Sequence, residues 1–416
     1  MDREKNPIIV VGGGLGGLTT ALALSRRGFA VQVLEGASEF GAIGYGIQFG
    51  PNVFAVFDPL GIGEKVRQSS DVPPGVIMVD ALDGREVIRV PTGHPSFRTR
   101  FKNPYIIIHR VDLHNVLLAA CARSKRIALV SGAMVTGFEQ RGEQVVARTE
   151  DGRSFAGAAL IGADGVRSKI RAQMFGDGEL EPNGYVSHRT IVPMEEVPAG
   201  VDREDVVLWA GPGFHIVHYP LRHGAMFNIV AVFRTAGHAE KADAARYRAD
   251  LQASYRTAHP TMQALLAMMD LRRRWALGVR EPVRVWHKGR AVLLGDAAHP
   301  TLQSLAQGAC MAIEDGLCLA ELIHLCDGDF AQAIRRYERA RCLRTARVTL
   351  ESNYLWGVYH ADDIAREVYW QSLGERSRDD VYQCLAWLYD GFRLPQDERA
   401  RLAAGERDRP VDVAEP

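Results

Sequence analysis

The sequence predicts an α/β fold in which a parallel sheet with a nucleotide-type turn is interrupted by a β-rich α+β segment and followed by a helical C-terminus. Three observations predict it. The chain opens on a β-branched strand, a G-x-G-x-x-G turn and a helix. Two later apolar strands, beginning at Ala159 and at Ala291, run into a glycine and then an aspartate, Asp164 and Asp296. Between them, from about Tyr185 to Phe233, the residues alternate and turn as antiparallel strands do.

Ile8 to Val11 is the apolar run expected of a strand buried on both faces. Gly12, Gly14 and Gly17 follow it, Leu18 to Arg26 reads as a helix, Gly28 is placed to stop it, and Ala30 to Leu34 is a second strand ending at Glu35. Gly12 would make the tight turn, Gly14 admit a pyrophosphate against the backbone, and Gly17 let helix and strand pack closely. Free N–H groups and the macrodipole at the helix N-terminus favour the phosphates. Glu35 lies about 20 residues beyond the fingerprint, where a carboxylate accepts from a ribose diol and repels a 2′-phosphate. The turn is Rossmann-like, and the dinucleotide it predicts is FAD or NAD, not NADP.

At 416 residues the chain has room for two or three domains. Lys+Arg and Asp+Glu balance at 50 each without a basic cluster, which argues against nucleic acid or an anionic membrane as a partner. Cys121, Cys310, Cys318, Cys326, Cys342 and Cys384 are scattered with no C-x-x-C, as expected of reduced thiols in a cytoplasmic protein. Met1 to Asn6 is too short and polar for a signal peptide, no apolar run reaches the roughly 18 residues of a membrane span, and no metal site is expected.

Gly36 to Gly50 holds five glycines within fifteen residues and reads as a loop passing close to a ligand. Val53 to Leu60 is helical, Val76 to Val90 is a hairpin bending at Asp83-Gly84, Tyr105 to Arg110 is a strand, and about Asp112 to Arg123 is a helix. Ile127 to Ala158 supplies three short strands. Ala242 to Met269, Gly308 to Leu325 and Phe330 to Val348 are helical, and beyond Gln396 the chain reads as a frayed tail. The nucleotide domain is expected in three parts (1–75, 101–180 and 281–345), the substrate domain in two (76–100 and 181–280), with a C-terminal helical region and tail at 346–416.

Gly12-x-Gly14-x-x-Gly17, Gly162-Ala-Asp-Gly165 with Ser168 and Arg171, and Gly295-Asp-Ala-Ala-His-Pro300 with Gln307-Gly308 and Ala312-Ile-Glu-Asp315 together resemble the three-motif signature of the single-component FAD-dependent aromatic hydroxylases. The likeness covers nearly the whole chain in order, and within that family it is most similar to the 3-hydroxybenzoate 6-hydroxylases and salicylate hydroxylases. The resemblance implies that Gly12, Gly14, Gly17 and Glu35 hold the ADP half of FAD. It implies that Arg110 contacts the FAD side chain, that Asp164 serves FAD and the nicotinamide co-substrate, and that Asp296 holds the ribityl chain. The backbone at Gln307 and Gly308 would open a helix aimed at the flavin pyrimidine edge, where a helix N-terminus stabilises the charge of reduced flavin. There is no second G-x-G-x-x-G followed by an acid, so NADH or NADPH would reduce the flavin without a domain of its own. O2 would then form the flavin C4a-hydroperoxide that hydroxylates the ring. The family usually carries proline and glycine where this chain has Gln303 and Ala306. Gln303 brings an amide that both donates and accepts, expected beside the reacting ring.

In Phe214 to Pro220, period-two alternation puts His215, Val217 and Tyr219 on one face and Ile216 and His218 on the other. The first face suits an aromatic ligand, with an apolar wall, a phenol, and an imidazole whose ordinary pKa near 6.5 fits a base for a phenol. The resemblance assigns His215 and Gln303 to the substrate hydroxyl, with Tyr105 and Tyr219 lining the same pocket. His299 reads as structural, and the aromatic run Tyr354 to His360, which offers a ligand box, reads rather as core or a subunit contact, with a homodimer interface favoured. The function implied is hydroxylation of a small phenolic acid, in the specific reading 3-hydroxybenzoate to 2,5-dihydroxybenzoate (gentisate). The alternatives are salicylate 1-hydroxylation to catechol and CO2, a flavoprotein that sequesters an aromatic ligand without turnover, and an NAD-dependent dehydrogenase.

Overall fold

The structure, a computed structural model, describes residues 6–41, 44–235 and 244–392. The expected tail beyond Gln396 and the first two residues of the helix expected from Ala242 lie outside the described residues.

Strand Ile8–Val11 lies inside a six-stranded sheet, paired in parallel with Val31–Leu34 on one side and Ala159–Gly162 on the other. Ile127–Val130 and Ala291–Leu293 extend the parallel set, and His287–Lys288 closes one edge antiparallel. Every residue of Ile8–Val11 is buried, as a strand covered on both faces requires. The strands that lead into Gly12, Asp164 and Asp296 are therefore neighbours, and their carboxyl ends open on one edge, where ligands of such sheets gather. The first helix, Leu15–Arg26, starts earlier than expected and lies hard against the strand. A Cβ at Gly17 would stand 2.0 Å from the Gly12 carbonyl oxygen, and one at Gly12, where φ is +104°, would stand 2.4 Å from that of Ala163. The fold itself requires both glycines.

Gly36 to Gly50 is not all loop. Gly46–Phe49 is a strand paired antiparallel with Ile106–His109, which also pairs with Ser70–Asp71. Glycine-rich composition masked that short ladder. Ile127 to Ala158 yields four strands rather than three, because Ile127–Val130 joins the main sheet and the other three form a separate meander.

The β-rich segment builds a second sheet of seven strands, with Glu181–Pro193, Met226–Arg234, Phe214–Leu221 and Val206–Gly211 at its centre. The hairpin Val76–Asp80 and Glu86–Val90 completes one edge. One face, including Phe214, Ile216, Ile229 and Phe233, packs on Tyr247, Leu251, Tyr255, Met262 and Leu265. Those residues come from the helices Ala244–Ser254 and Pro260–Ala267 and the turn between them. The opposite face carries His215 and meets Trp356 of the long helix Phe330–Tyr359. That helix runs past Val348 because Thr349, Ser352, Trp356 and Val358 continue its buried stripe. Among the described residues no helix is long and apolar enough to cross a membrane, and no cluster of His, Cys, Asp or Glu is arranged to hold a metal ion.

Candidate active site

The Leu15–Arg26 helix has Gly14 at its cap position and no side-chain cap, so its first N–H groups are free to meet an anion. A Cβ at Gly14 would meet nothing within 4 Å. Glycine there serves an approaching ligand rather than the fold. Gly14→Ala is accordingly expected to leave the melting temperature of the FAD-free protein unchanged while weakening FAD binding by about tenfold or more, roughly 1.4 kcal/mol. Thermal melts and FAD titration check both halves, and equal affinity would contradict the placement.

Glu35 is held beside this turn, accepting from the N–H of Gly13 at 2.7 Å and of Ala37 at 2.8 Å. Arg110 opens the helix Arg110–Ala122, and its guanidinium has no ion-pair partner among the described residues. The Asp164 carboxylate is employed locally. It accepts from the Ser168 hydroxyl at 2.6 Å and from the N–H groups of Lys169 and Ile170 at 2.8 and 3.2 Å, closing the start of the helix Lys169–Phe175. Burial pushes this carboxyl up, with the Ser168 and amide bonds opposing it. Arg171 joins the second motif to the third by donating to the carbonyls of Ala297 and Ala298. Asp296 is exposed in the turn Gly295–Ala297, and its Oδ1 would lie 3.7 Å from a Cβ at Gly308.

Gly308 begins the helix Gly308–Leu325, again without a side-chain cap. The Gln307 side chain turns inward, its Oε1 accepting from Asn52 at 3.1 Å, and Asn52 also donates to Glu314 at 2.9 Å. Beneath this helix start lies a dry charge network. Arg341 donates to Glu314 at 2.7 Å and to Asp315 at 2.6 Å, with all three side chains fully buried. Arg344 adds bonds to Glu314 and to the carbonyls of Trp387 and Leu388. Burial alone would push the Asp315 carboxyl up, but His299 and Arg341 hold it down to about 2. His299 spends its Nε2 on Asp315 at 2.6 Å, a structural use. Two uncapped helix starts, unpaired Arg110, and the carboxylates Glu35 and Asp296 fit the pyrophosphate, flavin edge, ribose and ribityl chain of FAD.

The second sheet supplies the other wall. His215 is 2% exposed, and its Nδ1 lies 2.8 Å from His360 Nε2. His360 Nδ1 lies 2.8 Å from the Trp356 carbonyl, which can only accept, so that nitrogen carries the proton. Neutral His360 then accepts at Nε2, His215 donates from Nδ1, and His215 Nε2 is left as an acceptor with no partner among the described residues. Burial, and then His360, holds the His215 imidazole well below its usual value. Burial likewise takes His360 to about 4, with the Trp356 bond opposing and Arg234 reinforcing. Trp356 and Tyr359 enclose the His215 ring, and Tyr255 anchors its backbone by donating to the His215 carbonyl at 3.1 Å.

Tyr105 donates to Gln48 at 2.6 Å, and Gln48 also stands beside Tyr219, so the two tyrosines flank one amide. Val217 shares the face of His215 and Tyr219 and packs where three apolar clusters join. Gln303 sits in the short turn Gln303–Leu305, its Oε1 3.4 Å from Arg189 Nη2. Tyr359 ties that turn to the His215 side by donating to the Ser304 carbonyl at 3.1 Å. Ala306 follows with φ +52°. The glycine-type backbone is thus kept without the glycine, at a cost of about 1–2 kcal/mol.

The run Tyr354 to His360 is part surface and part core. Tyr354 is exposed, but Trp356 and His360 are buried against His215. Sequence reading also missed Arg189, Asn52 and Arg341. A lone arginine inside an apolar alternating strand was the available signal for the first.

A match to the family described as FAD binding domain covers residues 5–352. The chain is 42% identical to a 3-hydroxybenzoate 6-hydroxylase of Polaromonas naphthalenivorans (strain CJ2), over 92% of this chain and 95% of that protein. It is 38% identical to a 3-hydroxybenzoate 6-hydroxylase of Klebsiella oxytoca, over 92% of this chain and 96% of that one. It is also similar to the crystal structure of Klebsiella pneumoniae HpxO complexed with FAD and uric acid. There the TM-score is 0.81 at 26% identity, over 93% of this chain and 97% of that chain.

Proposed function

The chain belongs to the FAD binding domain family and is an FAD-dependent aromatic-ring monooxygenase, and from that premise we propose that it converts 3-hydroxybenzoate to 2,5-dihydroxybenzoate with NAD(P)H and O2. The observation that carries this reading is the His215–His360 pair, which leaves a proton acceptor without a protein partner on an apolar, aromatic face. Bound FAD, once reduced, supplies the activated oxygen. Gly12, Gly14, Gly17, Glu35, Arg110, Asp164, Asp296, Gln307 and Gly308 hold it in this reading.

The protein's own work is to bind, orient and deprotonate. His215 Nε2 accepts the proton of the substrate hydroxyl, which makes the ring electron-rich at the positions ortho and para to oxygen. His360 fixes the tautomer that leaves Nε2 bare and accepts from Nδ1 of the resulting imidazolium. The Gln303 amide takes the place of the family's proline at the reacting ring, while Val217, Tyr105 and Tyr219 line the ring and exclude water. Substrate-stimulated NADH oxidation with 3-hydroxybenzoate, salicylate or no ligand, with products separated by chromatography, tests the reading. Gentisate from 3-hydroxybenzoate is the expected result, and catechol from salicylate as the sole product would replace it.

Exposed Leu343, Leu350 and Tyr354, with Ile364 and Val368 on the next helix, support a homodimer. Sedimentation equilibrium should give twice the 45.8 kDa chain mass, and a monomer would refute this. The free thiols of Cys121, Cys310, Cys318, Cys342 and Cys384 support a cytoplasmic setting.

A further inference from the structure

Arg341 is fully buried and Arg189 half-buried, and the two are treated differently. Arg341 has two carboxylates on it. Arg189 has none. Among the described residues its guanidinium has one hydrogen-bond partner, the neutral Gln303 oxygen at 3.4 Å, and its buried Nε has no acceptor. Around it stand the face of Trp275 at 5.8 Å, Tyr45, Tyr219 and a second cation, Arg110. A guanidinium taken out of water without a counter-charge is costly, and Arg110 raises the cost. The Trp275 face offsets only part of it.

The register says where this cation points. Arg189 pairs with Val230, and Val230 pairs with Val217, which puts Arg189 on the face that carries His215 and Tyr219. It lies two strands across from His215 and one pleat repeat along, about 10 Å and about 7 Å by ordinary sheet spacings. The reach of an arginine side chain leaves a gap between guanidinium and imidazole that suits a single benzene ring with substituents at both ends. Asn228, opposite Tyr219 on the same face, is a further donor without an acceptor, at its buried Nδ2.

We infer that Arg189 is the anchor for the substrate carboxylate, and that by holding the acid end of the ring it presents the hydroxyl to His215. The inference rests on the reading that this site takes a phenolic acid. Planar guanidinium forks match carboxylates in two parallel bonds, so the contact fixes orientation as well as charge. Gln303, already within reach of Arg189, links this anchor to the turn beside the ring.

The test uses FAD-loaded enzyme and two ligands of nearly equal shape, 3-hydroxybenzoate and its neutral amide, 3-hydroxybenzamide. Dissociation constants are read from the perturbation of flavin absorbance, and KM and kcat from turnover. Arg189→Met should weaken binding of the acid by about 100-fold or more while changing the affinity for the amide by less than about threefold, and Arg189→Lys should recover part of the loss for the acid alone. An Arg189→Met enzyme that binds the acid like wild type would overturn the assignment. So would equal losses for acid and amide with no recovery in Arg189→Lys, or loss of FAD with acid affinity unchanged, which would assign the cation to the cofactor. Wild-type enzyme that binds the amide but not the acid would overturn both this inference and the phenolic-acid reading beneath it.

Discussion

His215→Ala is expected to lose about 10²–10⁴-fold in kcat, the range contributed by a positioned base, while retaining its FAD. The substrate hydroxyl loses its acceptor, and no other base is positioned by the His215–His360 geometry. His360→Phe should lose less, because His215 survives but is no longer held in the tautomer with bare Nε2. The pH profile reports on the His215 base. The active form of His215 is neutral, and burial followed by His360 lowers its pKa well below the usual value. Activity should therefore hold through neutral pH and fall only as pH drops through that depressed pKa. Losing the tautomer lock in His360→Phe should lower kcat at neutral pH without abolishing activity. Full activity in His215→Ala would sink the assignment, and a wild-type kcat in His360→Phe would remove His360 from it.

Arg341→Met should destabilise the protein by about 3–5 kcal/mol, because Glu314 would stay buried without its main counter-charge and Asp315 without one of the two groups paired with it. That is a large fraction of the roughly 5–15 kcal/mol that holds a typical domain folded. FAD affinity should fall with it, since Glu314 also holds Asn52, and Asn52 holds Gln307 at the start of the 308–325 helix. Urea titration and FAD release measure the two losses. A variant within about 1 kcal/mol of wild type would mean that Arg344 and His299 compensate.

The nucleotide end of the site was legible because its signals are local. Gly12, Gly14, Gly17 and Glu35 fall within one strand–helix–strand unit, and parallel pairing then sets Asp164 and Asp296 beside them. The His215 face followed from period two alone. What escaped depends on three-dimensional neighbours with no fixed spacing. His360 lies 145 positions from His215 and sits in an aromatic run whose helical spacing reads as core. Arg341 reaches carboxylates 26 and 27 positions back, a pairing set by how two helices pack. Ala306 hides its left-handed backbone because alanine gives no sign of it. The short strand Gly46–Phe49 was lost in its glycines, although Gly46 is what lets that strand approach Tyr219.

In the proposed reaction one atom of O2 enters 3-hydroxybenzoate. The most direct measurement is turnover of the purified FAD-loaded enzyme under oxygen-18 gas with NADH and 3-hydroxybenzoate, followed by mass spectrometry of the product. Gentisate carrying a single heavy oxygen, formed in step with NADH oxidation, is the expected result. NADH consumption that yields only hydrogen peroxide, or gentisate whose new oxygen comes from water, would contradict it.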